Sequence, residues 1–380
     1  MPGPTPRMTA QRFLWKKQRV PYSVFYELTP RCTFDCKMCY VHLTREQMGD
    51  RKELSTEEWL RIVDRSLKEG MLYCVLTGGE CMLHEGFWQI YEHIIAGGAV
   101  LAVNTNAYAL TDEDIARFAA SPPASIRITL YGASEEAYER LTGRRAFGRV
   151  LENIKKLQAA GITPKLTATL SRWNMQDFPA MMVLARELGL KLRYTFHLTT
   201  ANEDTGRRFE DYRTTPEEIV EWELAGWKAV GRVPYQNEPI PELPARLPDD
   251  PDSKRLTCEA GRGSYTVFWD GRFSPCINIP TELRIQDMSF EEAWKAAGEM
   301  VESFPLPVEC AACRLRPVCS NCALNRQDHK DPTHCDPYRC AVTYARYNAG
   351  LITLSPKAAS PNQPAEPEED YDPEDMMHES

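Results

Sequence analysis

Three segments of this chain share an alternation that few architectures accept. Ile126, Ile128 and Leu130 interleave with Arg127, Thr129 and Tyr131. Leu166, Ala168 and Leu170 interleave with Lys165, Thr167, Thr169 and Ser171. Leu192, Tyr194, Phe196 and Leu198 interleave with Arg193, Thr195 and His197. Residues two apart along a strand share a face, so each segment reads as a strand with one apolar and one polar side. The intervening stretches carry helical signals. Ser55 with Glu58 and Thr111 with Asp114 read as capping boxes, and Asp177–Glu187 and Pro216–Lys228 are amphipathic. Strands joined by helices imply parallel βαβ units wound right-handed. A central strand of a flat parallel sheet, covered on both sides, is apolar on both faces. One polar face on consecutive strands fits a barrel better, with helices outside and a wet, ligand-holding interior.

Further strands are expected at Ser23–Leu28, Tyr73–Leu76 and Val100–Thr105, giving six in an α/β unit over residues 22–230. Residues 1–21 read as a basic N-terminal arm, 231–257 as a proline-rich linker and 258–350 as a cysteine-rich domain. Residues 351–380 read as a disordered acidic tail. The net charge of −9 is concentrated there, since Glu366–Ser380 holds eight Asp or Glu and no Lys or Arg. The rest of the chain is near neutral, which argues against a general binder of nucleic acid or anionic membrane. No apolar run approaches a membrane span and Met1–Gln11 lacks a secretory core, so a cytoplasmic protein is expected.

In a reducing compartment thirteen cysteines point to metal ligation or catalytic thiols, not to disulfides. Cys32, Cys36 and Cys39 form C-x3-C-x2-C directly after the first strand. Zinc sites and ordinary ferredoxin clusters want four ligands in C-x2-C pairs. Three thiolates in one short loop can hold three corners of a [4Fe–4S] cube and leave one iron open to a reactant. Thr77-Gly78-Gly79-Glu80 ends the second strand, and its glycines allow close backbone approach to a ligand.

Together these two motifs resemble the signature of the radical S-adenosylmethionine (radical SAM) superfamily. The resemblance implies a partial (β/α)6 TIM-like barrel in which Cys32, Cys36 and Cys39 carry the catalytic cluster. The open iron would chelate SAM, and Gly78, Gly79 and Glu80 would contact its methionyl end. Asn104-Thr105-Asn106 resembles a segment that in relatives often reads Thr-Asn-Gly, with Ala107 in place of the glycine. Tyr131-Gly132-Ala133-Ser134 through Leu141-Thr142-Gly143 resembles a segment leading into a helix in many members. By the same resemblance Tyr40, Asn106, Thr129, Ser171 and Arg193 are further cofactor contacts. Met38 stands where an aromatic residue is common, and Cys81 where proline is common.

The C-terminal cysteines run Cys258-x12-Gly271-x4-Cys276, then Cys310-x2-Cys313-x5-Cys319-x2-Cys322, then Cys335 and Cys340. Zinc is the plainer reading of such pairs. The order is similar to the SPASM domain, an auxiliary-cluster module of many radical SAM enzymes that modify peptides, with one residue missing before Cys322. That resemblance implies one [4Fe–4S] cluster on Cys310, Cys313, Cys319 and either Cys340 or Cys335. A second would sit on Cys258, Cys276 and Cys322, completed by Cys335 or left with an open iron.

The implied function is radical modification of a peptide or protein: cross-linking, epimerisation or side-chain oxidation. Its cofactors would be SAM, one catalytic [4Fe–4S] cluster and one or two auxiliary ones. A flavodoxin or ferredoxin would donate electrons. No N-terminal module long enough to read a leader peptide is visible, so a separate leader-binding protein, or the barrel itself, would do that. The alternatives are a radical SAM enzyme acting on a small cofactor or tetrapyrrole precursor, and a non-catalytic zinc or iron–sulfur scaffold. Arg193 and His197 would face substrate or SAM, or pair internally. Cys74 reads as a buried hydrophobe and Cys81 as structural.

Overall fold

The computed structural model describes residues 14–196, 198, 205, 207, 211–237, 258–304, 307, 309, 310, 313–319 and 336–354. Cys322, Cys335, His197, most of the linker (238–257), the tail from 355 and the first part of the arm (1–13) lie outside the described residues. The six expected strands are present as β1 (Ser23–Glu27), β2 (Tyr73–Thr77), β3 (Val100–Thr105), β4 (Ser125–Thr129), β5 (Lys165–Thr169) and β6 (Leu192–Thr195). They pair in sequence order, all parallel.

Between them run α1 (Thr56–Lys68), α2 (Phe87–Ala96), α3 (Asp112–Ala120), α4 (Glu135–Thr142), α5 (Phe147–Ala159) and α6 (Phe178–Glu187). Next comes α7 (Pro216–Ala229). The capping boxes at Ser55/Glu58 and Thr111/Asp114 form reciprocally, as their spacing requires. Alternate strand residues (Tyr26, Cys74, Leu76, Val103, Ile128, Leu166) pack outward in one core with the helices, where Trp59 of α1 meets Tyr26 at 5.3 Å. Full burial of such a side chain stabilises by about 1.5–3 kcal/mol.

The other face is polar and partly open. On β5, Leu166 and Ala168 are buried while Lys165, Thr167 and Thr169 are half-exposed. The alternation read from the sequence therefore separates the helix-covered side from the barrel interior.

The sheet continues past β1 into the C-terminal part of the chain. β7 (Ser264–Val267) pairs parallel with β1, and β8 (Phe273–Ser274) turns back antiparallel on β7. The edges of the sheet are β6 and β8, so the barrel is open between them. Helix α8 (Phe290–Glu302) packs Phe290 edge-on to Tyr265 of β7 at 5.3 Å. Helix α9 (Pro337–Asn348) lies on α7, where buried Glu223 accepts from Arg346 Nε and Nη2, each at 2.8 Å, and from the Tyr194 hydroxyl at 2.7 Å. The described end of the N-terminal arm docks on the same C-terminal region. Lys16 pairs with Glu259 at 3.1 Å, and Trp294 Nε1 donates to the Arg19 carbonyl at 2.8 Å. Among the described residues no helix is long and apolar enough to cross a membrane.

Candidate active site

The loop bearing Cys32, Cys36 and Cys39 leaves the C-terminal end of β1 and is fixed by the end of α4. Asp35 N and Lys37 N donate to the Thr142 and Leu141 carbonyls, each at 3.0 Å. A helix leaves its last carbonyls without partners, and here the cysteine loop supplies the donors. Gly143 then turns the chain away in a left-handed conformation, φ +73°. This gives Leu141-Thr142-Gly143 a physical role. Phe34 anchors the loop's apolar side between Tyr108 and Tyr131, with centroids at 5.4 and 5.5 Å.

Each sulfur meets a donor. Phe34 N donates to Cys32 Sγ at 3.4 Å, His42 N donates to Cys39 Sγ at 3.1 Å, and the Tyr131 hydroxyl bonds to Cys36. Arg207 pairs with Asp35, donates to the His42 carbonyl at 3.3 Å, and places a positive charge that favours thiolates at Cys36 and Cys39. Burial still dominates. It pushes the Cys32 thiol up to about 12 and raises Cys36 and Cys39 as well. The side chains are thiols until a positive centre displaces their protons, as expected of residues that bind iron through sulfur. Burial likewise raises Tyr131 and Tyr40, and lowers His42.

The Gly-Gly-Glu segment fits against this loop, and its glycines lie against the backbone of Thr29 to Arg31. Gly79 N donates to the Thr29 carbonyl and Glu80 N to the Arg31 carbonyl, each at 2.8 Å. A Cβ on Gly78 would stand 2.5 Å from the Thr29 carbonyl oxygen, and Gly78 has φ +131°. A Cβ on Gly79 would collide with the Pro30 and Arg31 carbonyls. Only glycine lets the end of β2 lie this close to the strand leading into the cysteine loop.

Glu80 itself is buried and tied to the end of β3. It accepts from the Thr105 hydroxyl at 2.9 Å and from Asn106 N at 2.8 Å, and burial pushes its carboxyl up to about 7. Asn106 connects the two motifs. Its Nδ2 donates to Thr33 Oγ1 at 2.9 Å and reaches Cys32 Sγ at 3.6 Å. Ala107, which replaces the glycine common in relatives, takes a left-handed φ of +58°, the conformation that explains that glycine.

The other expected contacts divide. Tyr40 is half-buried within electrostatic reach of Glu27, Cys39 and Cys276. Thr129 lies on the inner face, 3.4 Å from the Thr167 hydroxyl, and Arg193 lies on the same face. The Ser171 hydroxyl is committed to a turn, donating to Asn174 Oδ1 at 3.2 Å and accepting from Trp173 N at 3.3 Å. Cys81 is buried with its thiol on the Asn104 carbonyl at 3.3 Å, and Cys74 is fully buried in the core.

The sequence reading passed over Tyr131, Thr105 and Arg207 as site residues. Tyr131 closes the polar row of β4, a signal that was available. Arg207 is placed by the chain path alone.

The described C-terminal cysteines form two groups. Cys258 and Cys276 pack into one small cluster with Ala260, Ile279 and Val301. Cys313 N donates to the Cys310 carbonyl at 3.3 Å. Thr343, one turn after Cys340 on α9, donates to Cys319 Sγ at 3.3 Å. None of the eleven described cysteines is in a disulfide.

The donor set was tested against an iron–sulfur cube and SAM. Among the described residues no three His, Cys, Asp or Glu side chains form a group that could hold a single metal ion. One tetrahedral zinc gathers sulfurs to about 3.8 Å from each other, given bonds of about 2.3 Å, whereas a cube offers each thiolate its own iron. Three soft donors on one short loop, each held by a polar group, fit the cube. Asn104 Oδ1, on the same strand end as Thr105 and Asn106, is buried with no hydrogen-bond partner among the described residues, an acceptor that a bound donor would satisfy. A cleft of about 520 Å³ lined by Asp50, Arg51, Glu53, Asp270 and Arg284 includes none of the cysteines.

Fold and site together fit a domain that would activate SAM on an iron–sulfur cluster. Residues 26–185 match the radical SAM superfamily, so this part of the chain carries a radical SAM domain. Its cofactors are accordingly SAM and a [4Fe–4S] cluster. It is similar to the mycofactocin maturase MftC of Mycolicibacterium smegmatis, 28% identical over 50% of this chain and 48% of that protein. The chain thus spans about half the length of that relative. It is also similar to the AdoMet-dependent heme synthase of Methanosarcina barkeri, 25% identical over 80% of this chain and 91% of that protein. The subtilosin biosynthesis protein AlbA of Bacillus subtilis is 23% identical over 80% of this chain and 69% of its own length. The crystal structure of Streptococcus suis SuiB bound to precursor peptide SuiA shares the fold. Its TM-score is 0.66 and its identity 16%, covering 89% of this chain and 81% of that one.

Proposed function

We propose that the protein is a radical SAM maturase that modifies a peptide or protein substrate. The observation that carries this reading is the junction of the cysteine loop with Gly78-Gly79-Glu80 through Asn106, on the polar side of an open barrel. Cys32, Cys36 and Cys39 would hold the cluster by three thiolates. Gly78, Gly79, Glu80, Asn104 and Asn106 would hold the methionyl end of SAM, with Tyr40, Thr129 and Arg193 around it and Ser171 acting through its turn. When bound, the cluster supplies the electron that cleaves SAM to methionine and a 5′-deoxyadenosyl radical, which takes a hydrogen atom from the substrate.

The protein's own work is to exclude water and to fix donors. Phe34, Tyr131 and Tyr138 close the loop's apolar side, while the Phe34 and His42 amides and the Tyr131 hydroxyl stabilise thiolate charge. A cross-link, epimerisation or side-chain oxidation is the proposed outcome. A flavodoxin or ferredoxin would deliver the electron, and a separate leader-peptide-binding protein would present the substrate.

The C-terminal cysteines are proposed as a SPASM-like module over residues 258–350, holding one or two auxiliary clusters. Cys310, Cys313, Cys319 and Cys340 or Cys335 form one set. Cys258, Cys276 and Cys322 form the other, with Cys335 as a further ligand or an open iron. The hydrogen bond from Thr343 to Cys319 supports a shared site for Cys319 and the helix carrying Cys340.

A second reading has its own support, because the heme synthase relative is covered over 91% of its length, unlike MftC. On that reading the substrate is a tetrapyrrole. The test measures 5′-deoxyadenosine and product from anaerobically reconstituted protein with two substrates: a short peptide encoded beside its gene, and a tetrapyrrole precursor. Modified peptide supports the maturase; turnover of the tetrapyrrole alone replaces it.

A further inference from the structure

The sheet has two edges, and they differ. The outer side of β8 is covered, since Phe273 N donates to the Leu283 carbonyl at 2.7 Å and Ile285 N to the Gly271 carbonyl at 3.0 Å. The outer side of β6 meets no described strand. Its odd-numbered residues turn their backbone groups to β5: Leu166 N donates to the Lys191 carbonyl at 3.2 Å and Leu170 N to the Thr195 carbonyl at 2.8 Å. Successive residues of a strand aim these groups to alternate sides, so the amides and carbonyls of Leu192 and Tyr194 face away from β5. Among the described residues no hydrogen bond reaches any of these backbone groups. The strand is half-exposed along its whole length, whereas β2 is buried throughout. It pairs with β5 without a bulge and holds no proline, two of the devices that blunt a sheet edge. All the barrel strands are parallel, so β6 ends on the same side of the barrel as β1, where the cysteine loop starts.

We propose that an extended segment of the peptide substrate pairs with this edge and joins the barrel as an added strand beside Leu192 and Tyr194. Alternating amides and carbonyls along a sheet edge match the backbone of another strand, whatever its side chains. Four residues of edge admit a short segment. Such a strand runs along β6 toward the end of the barrel that carries the cysteine loop. It sends alternate side chains into the interior that Thr129 and Thr167 face, so the pairing register selects which residue reaches the site. The assignment rests on the maturase reading and specifies how the substrate is held: by its backbone, on one strand of the barrel.

The test follows amide hydrogen exchange, residue by residue, in the reconstituted full-length protein. The probe is acetyl-Thr-Val-Thr-Val-Thr-Val-amide at millimolar concentration, which copies the polar–apolar alternation of β5. The expected result is about fivefold slower exchange at Leu192 and Tyr194, with the already paired amides of Leu166 and Leu170 unchanged. N-methylation of the peptide at one set of alternate residues abolishes the slowing and at the other set leaves it, because only one set aims its N–H at β6. Leu192→Pro removes one donor at the first position of the strand, where proline is tolerated. It should weaken peptide binding about tenfold while reductive SAM cleavage persists. Unchanged exchange at Leu192 and Tyr194, or equal effects of the two methylated sets, overturns the assignment. The methylated peptides decide the matter even where Leu192→Pro fails to fold. Product analysis on the same preparation separates the two failures. Modified peptide without slowed exchange sinks the added strand alone, and turnover of a tetrapyrrole alone sinks the maturase reading and this assignment with it.

Discussion

Two sets of cysteines in this chain have the same chemistry and opposite origins. Cys32, Cys36 and Cys39 lie within eight residues, and the barrel is built up to them: α4 offers its last carbonyls, β2 its glycines and β3 its Asn106. The described C-terminal cysteines come from separate elements, Cys258 and Cys276 flanking the β7–β8 hairpin and Cys340 lying on α9. A site written into one loop is set by local geometry and survives changes elsewhere. A site assembled from distant elements depends on the packing that brings them together. The two should therefore respond differently to the same substitution.

The largest expected difference is between Cys36→Ala and Cys313→Ala. The first should abolish reductive SAM cleavage. The second should lower iron per chain while 5′-deoxyadenosine formation persists, because the barrel loop makes its contacts without Cys313. Parallel loss of both properties in Cys313→Ala would make the C-terminal region a structural support for the barrel.

Glu223→Ala comes next. Glu223 is fully buried with Arg346 and Tyr194 on it, so removing the carboxylate strands a charge between α7 and α9 and should cost about 3–5 kcal/mol in denaturant unfolding. An unchanged midpoint would show that α9 is not clasped to the barrel through this pair.

Gly79→Ala tests the loop side. Its methyl group would force β2 away from Pro30 and Arg31, with an expected destabilisation of about 1–3 kcal/mol and a matching loss of SAM cleavage. Full activity with unchanged stability would refute the close-approach role.

The smallest effect is expected for Ala107→Gly. Relief of the left-handed backbone, worth roughly 1–2 kcal/mol, is offset by about 0.5–1 kcal/mol from the greater freedom of glycine in the unfolded chain. A thermal scan should show a slight gain, and a clear loss would mean the buried methyl group outweighs the strain.

Much of this was legible in the sequence because it is local. The interleaving of Leu166 and Ala168 with Lys165, Thr167 and Thr169 gave β5 and its wet face directly. The alternation runs on through Leu170 and Ser171 although β5 ends at Thr169, because Ser171 and Asn174 draw the chain into a turn before the alternation stops. The joining of β7 to β1 left no local trace, since a parallel pairing across more than two hundred residues is decided by tertiary packing. The glycines of Gly78-Gly79-Glu80 were expected to face a ligand. Their carbonyl partners, Thr29 to Arg31, emerge only when β1 and β2 lie side by side. Arg207 had no signal at all, as nothing in its neighbourhood announces that it returns to Asp35.

The most direct measurement of the account is made on the unmodified protein after anaerobic reconstitution with iron and sulfide. Dithionite and SAM are added, and 5′-deoxyadenosine is measured beside a Cys32→Ala, Cys36→Ala, Cys39→Ala triple variant. The account predicts 5′-deoxyadenosine from the parent and none above background from the triple variant, with iron and sulfide lower in the variant. Equal formation by both proteins would contradict it, because the radical would then arise somewhere other than this loop.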